Sequence, residues 1–103
     1  AAVAERKIAS PRARCAASPA CATCHAGDRM TNNQTLDVGT RGVFQVPSLK
    51  GLAGRAPYMH DGCATNLRVR FTNATCGGGD RHGRTSHLSA AQLDDLVAWL
   101  ESR

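Results

Sequence analysis

The chain has 103 residues, enough for one domain over residues 1–103, and 42% of them are hydrophobic although only four are Phe, Trp or Tyr. Such a core is thin for the length, so a large buried group would help to fill it. The net charge is +5, but the arginines are scattered and most lack neighbouring aromatic side chains, which argues against nucleic acid as a partner; no apolar run is long enough to span a membrane.

The first half of the chain is predicted to contain little regular structure. Two short helices are predicted, over Ala1–Ala9 and then to about Ala17, because Ser10-Pro11 interrupts one and suits the start of the next. Gly27–Val46 is polar and rich in turn residues, so we expect a loop, with a short extended piece around Val43–Val46.

The middle of the chain is predicted to alternate short helical turns with loops. Pro47–Gly54 is expected to form one helical turn and Pro57–Gly62 a loop. Thr65–Phe71 is predicted to be a short helix, and Asn73–Arg84 a glycine-rich loop.

The clearest predicted element is the last helix, Ala90–Ser102. Ser89 and Gln92 have the spacing of a capping box, which stabilises a helix at its first turn. Apolar residues then repeat at helical spacing, at Leu93, Leu96, Val97 and Leu100. One face of this helix is therefore expected to pack into the core.

The segment Cys21–His25 reads C-x-x-C-H, which is the attachment motif of c-type haem. Two thiols must reach two vinyl groups of the porphyrin, and the following histidine must lie beneath the iron. A helical turn through Cys21 and Cys24 satisfies both needs, so these residues are predicted to form the thioethers and His25 to be the proximal ligand. One covalent haem c is the expected cofactor.

Three other uses of cysteine fit the sequence less well. A zinc site needs a second ligand pair at short spacing, and none is present. Cys15, Cys21 and Cys24 come one residue from the spacing of a plant-type iron–sulfur cluster, with Cys76 as the distant ligand. A thioredoxin-like dithiol would need a βαβ context, which the chain lacks.

The remaining three cysteines allow one disulfide and one odd thiol. Cys63 and Cys76 are the favoured pair, since they would close a loop worth about 3 kcal/mol in the entropic account of disulfides. A disulfide indicates an oxidising compartment, so we expect a periplasmic or otherwise exported protein.

The sixth ligand of the iron is left open by the residues themselves. Met30 follows His25 too closely to reach the opposite haem face, and His87 is expected to face solvent beside the last helix. The remaining candidates are Met59, His60 and His82.

Ordered segments from Cys21 to Leu100 resemble the C-terminal haem domain of bacterial di-haem cytochrome c peroxidases and their MauG-like relatives. After the haem motif come Phe44–Lys50, which reads F-Q-V-P-S-L-K, and Ala56–Gly62, which reads A-P-Y-M-H-D-G. They look like the family's F-x-V-P-S-L-[RK] and A-P-Y-[FM]-H-D-G, and residues 93–100 look like its closing helix.

The resemblance implies an all-α, loop-rich, cytochrome c-like domain wrapped around one haem. It implies that Lys50 neutralises a haem propionate, that Tyr58 and His60 lie at the haem, and that Met59 packs near it. In the family the distal ligand precedes the closing helix, where this chain offers His82. His82 therefore becomes the preferred sixth ligand, and Met59 the alternative.

Only one C-x-x-C-H is present, so the family's peroxidase activity does not carry over to this chain. We expect electron transfer through a low-spin, six-coordinate haem, with a redox protein or a second haem domain as partner. The alternative is a peroxidase-like or redox-sensing domain of a larger di-haem enzyme. By itself the chain is therefore not expected to be an enzyme.

Overall fold

The computed structural model describes residues 21–103, so the two helices predicted before Ser18 lie outside the described part. The described part contains four α-helices: α1 (Cys21–Cys24), α2 (Leu67–Thr72), α3 (Ala74–Gly77) and α4 (Ala90–Glu101). It also contains two short strands and two 3-10 helices: β1 (Thr35–Leu36), β2 (Phe44–Gln45), Leu52–Gly54 and Gly79–His82. The described fold is mostly helical and rich in loops, as predicted.

The last helix begins as the sequence predicts. The Ser89 side chain accepts a hydrogen bond from the Gln92 backbone at 3.1 Å, and the Gln92 side chain accepts one from the Ser89 backbone at 2.9 Å. This is a complete capping box. Helix α4 ends at Glu101, one residue earlier than predicted, and Ser102 is its C-cap.

The core lies between α2 and α4. Leu67 of α2 packs with Leu96 and Leu100 of α4, and these three side chains are buried. Half-buried apolar residues surround them: Leu49, Leu52, Tyr58, Phe71, Leu88, Leu93, Val97 and Trp99. The predicted apolar face of α4 is therefore the face that meets the core.

The prediction of a continuous loop over Gly27–Val46 is wrong at one place. Strands β1 and β2 form an antiparallel pair, with Thr35 opposite Gln45 and Leu36 opposite Phe44. The extended piece around Val43–Val46 is present as β2. The partner strand was missed because its pairing depends on residues about ten positions away rather than on its own two residues.

The glycine-rich segment Asn73–Arg84 is also more ordered than a loop. The Asn73 side chain caps α3 by accepting a hydrogen bond from the Cys76 backbone at 3.1 Å. A Cβ on Gly77 would lie 1.8 Å from the Arg70 carbonyl oxygen, so the glycine allows α3 to approach α2 closely. Gly78 has φ of 89°, a conformation that side chains disfavour. Here the glycines serve packing.

Candidate haem site

A cavity of about 510 Å³ lies beside α1, within the range usual for cofactor sites. Its wall is largely apolar and is built from α2, α4, the strands and the loops between them. Leu36, Val46, Leu52, Leu67, Leu96 and Trp99 are among the residues that line it.

Helix α1 brings the C-x-x-C-H motif to the cavity wall. The His25 backbone donates a hydrogen bond to the Cys21 carbonyl at 2.9 Å, which continues the turn of α1 through His25. Cys21, Cys24 and His25 all line the cavity. Cys24 carries a free thiol, whereas Cys21 is disulfide-bonded in this structure.

His25 is held by two main-chain carbonyls. Its Nδ1 lies 3.2 Å from the Met30 oxygen and 3.1 Å from the Pro47 oxygen, so Nδ1 carries the hydrogen and donates. Nε2 is then the nitrogen available to a metal ion. Burial lowers the pKa of His25 below 6.5, while the two hydrogen bonds oppose this shift. The ring is therefore neutral near pH 7, as a metal ligand must be.

His82 also lines the cavity, and it lies in the 3-10 helix that follows α3. Its Nδ1 donates to the Gly77 carbonyl at 2.9 Å, which again leaves Nε2 available. Burial lowers the pKa of His82 to about 4, and the positive charge of Arg70 acts in the same direction. His82 is therefore also neutral near pH 7.

The two imidazoles stand at the separation expected for ligands of one metal ion. Their ring centroids are 6.4 Å apart, and the ring planes are inclined by 42°. Two imidazoles that bind a metal ion from opposite sides, through bonds of about 2 Å each, hold their centroids about 6 Å apart. The apolar cavity and this pair of neutral rings fit a haem.

The other candidate ligands occupy different environments. Met59 is half-buried, lines the cavity and has φ of 72°. His60 also lines the cavity, but its ring is stacked on Phe44 with 3.9 Å between centroids. His87 is exposed and is not part of the cavity wall, as expected. Met30 is buried, and its carbonyl supports His25.

Two further residues that the resemblance places at the haem, Tyr58 and Lys50, differ in position. Tyr58 lines the cavity, and its hydroxyl donates to the Leu52 carbonyl at 2.9 Å, which orients the ring. Lys50 is exposed and outside the cavity wall; its backbone N–H donates to the Ser48 side chain. The basic side chains that do line the cavity are Arg55, Arg70 and Arg81.

Arg70 is a site residue that the sequence analysis missed. Its side chain is buried, with 8% of the residue exposed, and Nη2 donates to the His82 carbonyl. Nη1 is buried and has no hydrogen-bond partner among residues 21–103. Burial lowers the pKa of Arg70 to about 10, so the guanidinium stays charged near pH 7. A detectable signal was its position three residues after Leu67, on the buried face of α2.

Two links join the loop before α2 to helix α3. Cys63 and Cys76, the pair favoured by the sequence, are disulfide-bonded with their Cα atoms 5.8 Å apart. Beside the disulfide, Arg41 pairs with Asp61 at 2.6 Å and donates to the Thr75 carbonyl at 3.1 Å. These links hold the segment that ends in His82.

Comparison with known proteins places the chain in a family. Residues 13–103 match the cytochrome c family. The chain is 41% identical over 59 residues to hydrazine synthase subunit gamma of Kuenenia stuttgartiensis, covering 57% of this chain and 16% of that protein. It is 28% identical to the methylamine utilization protein MauG of Methylorubrum extorquens, covering 80% of this chain and 30% of that protein.

A third relative and one solved structure are also similar to this chain. The chain is 38% identical to the cytochrome-c peroxidase IdrP1 of Denitromonas iodatirespirans, covering 67% of this chain and 20% of that protein. The hydrazine synthase structure of Kuenenia stuttgartiensis superposes with a TM-score of 0.75 at 24% identity, covering 97% of this chain and 45% of that one. The chain thus spans less than a third of each curated relative.

These matches confirm the fold class and the resemblance to MauG-like and peroxidase haem domains. No helix among residues 21–103 is long and apolar enough to cross a membrane. A cytochrome c domain carries covalently bound haem c and serves haem-based electron transfer. On its sequence and its fold, the chain belongs to the cytochrome c family.

Proposed function

We propose that residues 1–103 form a single cytochrome c domain that carries one haem and transfers single electrons through a low-spin, six-coordinate iron. His25 and His82 are the axial ligands. The observation that carries this proposal is the pair of neutral imidazoles that line one apolar cavity with their centroids 6.4 Å apart. Both rings donate Nδ1–H to main-chain carbonyls, as metal-bound histidines usually do.

The haem supplies reversible one-electron exchange at its iron. The chain contributes attachment, orientation and exclusion of water. Cys21 and Cys24 attach the porphyrin, and the hydrogen bonds of His25 and His82 hold both rings in one orientation. Rigid ligands of this kind limit rearrangement of the site when an electron arrives or leaves.

Attachment of the haem requires free thiols at both Cys21 and Cys24. We expect the mature protein to carry a thioether at Cys21 and another at Cys24. Intact-mass measurement after denaturation tests this point, since a covalent haem stays with the chain and a non-covalent one is lost.

The absorption spectrum of the oxidised protein tests the axial ligands. We expect a low-spin spectrum without the near-infrared band of methionine–iron ligation. His82→Ala should convert the iron to high spin, and added imidazole should restore the low-spin spectrum. Met59→Leu is the matched control, because Met59 lines the same cavity, and it should leave the spectrum unchanged. A methionine band that Met59→Leu removes would instead assign Met59 as the ligand.

A second candidate function is peroxide chemistry at a haem with an open distal position, within a larger di-haem enzyme. It is favoured by the relatives named as a cytochrome-c peroxidase and as MauG, each much longer than this chain. His60 or His82, which both line the cavity, would then act as the acid–base group. A high-spin wild-type spectrum that changes on adding peroxide would favour this function over electron transfer.

The partner in electron transfer is a redox protein or a second haem domain, and the compartment is periplasmic or otherwise exported. The Cys63–Cys76 disulfide supports this location, because such bonds persist in oxidising compartments. Fractionation of cells that express the protein tests it: the haem-bearing chain should appear with the periplasmic fraction, and recovery in the cytoplasm alone would contradict the proposal.

A further inference from the structure

Arg70 is the only charged side chain that is buried among residues 21–103. Burying a guanidinium is costly unless an opposite charge or hydrogen bonds compensate it. No salt bridge to Arg70 is present in the described part, where the ion pairs are Arg41–Asp61, Arg68–Asp94 and Arg81–Asp37. Arg70 therefore has no ion-pair partner among residues 21–103, and the Asp80 carboxylate acts on its charge only from a longer distance.

The two ends of the guanidinium have different surroundings. Nη2 donates to the His82 carbonyl, whereas Nη1 is buried without a hydrogen-bond partner in the described part of the chain. The guanidinium carbon also lies 4.4 Å from the centroid of the Phe71 ring, which limits its movement. Because a guanidinium is planar and rigid, the bond at Nη2 restricts the direction in which Nη1 can donate.

Arg70 lines the same cavity as His25 and His82. An anionic oxygen within this cavity would satisfy Nη1 and neutralise the charge together. The porphyrin carries two carboxylates, and it is the group that the cavity fits.

We propose that Arg70 binds a haem carboxylate through Nη1 while its Nη2 holds the main chain of His82, so that seating of the carboxylate and binding of His82 to the iron are coupled. This inference rests on the proposed haem site. Arg70 is here a positioning residue for His82, the distal ligand of the iron. Arg70 itself binds the haem carboxylate. Lys50, to which the resemblance assigns a haem propionate, lies outside the cavity wall, and its contact with a propionate stays a prediction.

The coupling has a direct consequence for ligand exchange. Cyanide binds the oxidised iron only after His82 leaves, so its affinity reports how firmly His82 is held. Loss of a buried charged hydrogen bond weakens the associated state about tenfold or more. Without Arg70, the Kd for cyanide should therefore fall about tenfold, and part of the iron should become high spin at rest.

The experiment compares the holo-protein with Arg70→Gln, Arg70→Lys and the control Arg68→Gln. Arg68 lies on the same helix, but it pairs with Asp94 at the surface. We expect Arg70→Gln to become partly high spin, with imidazole restoring the low-spin spectrum. Arg70→Lys keeps the positive charge but lacks the planar guanidinium that donates from both ends. Its high-spin fraction and its cyanide affinity should lie between those of Arg70→Gln and wild type. Arg68→Gln should match wild type in spectrum and cyanide affinity.

A second measurement tests the carboxylate and does not need a stable Arg70→Gln holo-protein. The Cys21→Ala/Cys24→Ala chain, with Arg70 or with the neutral Arg70→Gln, is mixed with haem or with haem dimethyl ester, which lacks the carboxylate charge. We expect esterification to weaken porphyrin binding more in the chain that keeps Arg70. An equal effect of esterification in both chains would overturn the carboxylate contact.

The wild-type spectrum separates the two proposals. A methionine band in the wild type contradicts His82 ligation and overturns the inference with it. A wild type with two histidine ligands, together with an Arg70→Gln protein of unchanged spectrum and cyanide affinity, overturns the inference alone and leaves the proposed function standing.

Discussion

The Nδ1 atom of His82 donates to the Gly77 carbonyl at 2.9 Å, and Gly77 directly follows the disulfide-bonded Cys76. The orientation of the His82 ring therefore depends on where α3 is held. Helix α3 is a single turn, too short to be stable by itself. Its position is set by the close approach to α2 at Gly77 and by the Cys63–Cys76 disulfide. Each of these two contacts can be altered separately by substitution.

Gly77→Ala should destabilise the holo-protein by about 3 kcal/mol, because the added Cβ would stand 1.8 Å from the Arg70 carbonyl oxygen. The clashing atom belongs to a helix backbone and cannot move aside cheaply. Movement of α3 away from α2, which would relieve the clash, should displace the Gly77 carbonyl and increase the high-spin fraction of the iron. Denaturant unfolding and the absorption spectrum measure the two effects.

Gly54→Ala is the matched control for that substitution. A Cβ on Gly54 would meet no atom within 4 Å, so stability should change by less than about 0.5 kcal/mol. Equal stability of the two variants would contradict the packing role given to Gly77.

Removing the disulfide with Cys63→Ala/Cys76→Ala should cost about 3 kcal/mol of stability, since the bond closes a loop with a sequence separation of 13. We also expect tighter cyanide binding and a changed reduction potential, because the segment that carries His82 loses an anchor. Thermal unfolding and electrochemical titration measure these changes. If reduction of the disulfide leaves both stability and potential unchanged, the bond does not stiffen the ligand loop.

Arg41→Gln provides the comparison for the disulfide. Arg41 joins the same two segments through Asp61 and the Thr75 carbonyl, but the side chains of Arg41 and Asp61 are 52% and 36% exposed. Exposed ion pairs contribute little to stability, so Arg41→Gln should lower the free energy of unfolding by less than about 1 kcal/mol. This difference from wild type should shrink further in high salt.

The loop that carries His82 should weaken in acid because of Asp80. Its carboxylate accepts hydrogen bonds from the Ser86 hydroxyl at 2.6 Å and from the Thr85 and Ser86 backbones at 3.1 Å, and these bonds hold its pKa below 3.8. The stabilisation is present above pH 3.8 and is lost as the pH falls through the lower pKa of the folded state.

Asp80→Asn should therefore be less stable than wild type at neutral pH, and the difference should narrow as the pH falls below 3.8. Denaturant unfolding across a pH series measures the stability difference at neutral pH and its decrease in acid. Ser86→Ala removes the donor with the largest effect on Asp80 and should change stability in the same direction but less. A constant difference between Asp80→Asn and wild type at all pH values would contradict this account.

Loss of the capping box should destabilise α4. Ser89→Ala removes the acceptor of the Gln92 backbone N–H and should cost about 1 kcal/mol in denaturant unfolding. Ser102→Ala, at the other end of the helix, removes exposed hydroxyl contacts to the Trp99 carbonyl and the neighbouring Arg103 side chain and should have a smaller effect. If the two variants lose equal stability, the capping box has no special part in stabilising α4.

Features that depend on neighbours in sequence could be predicted. The C-x-x-C-H motif predicts a covalently attached haem, because both cysteines and the histidine lie within one helical turn. The last helix was predicted to within one residue, since its cap and its apolar face are local patterns. The pairing of Cys63 with Cys76 was favoured by elimination and loop length.

Features that depend on distant parts of the chain were decided by the tertiary structure alone. The short strand β1 forms only because β2 lies beside it, and α3 sits close to α2 only because Gly77 has no side chain. His25 and His82 are 57 positions apart in sequence, and their separation of 6.4 Å is set by packing around the cavity. The unpartnered Nη1 of Arg70 is likewise visible only once burial is known, because burial is what deprives a charged group of water.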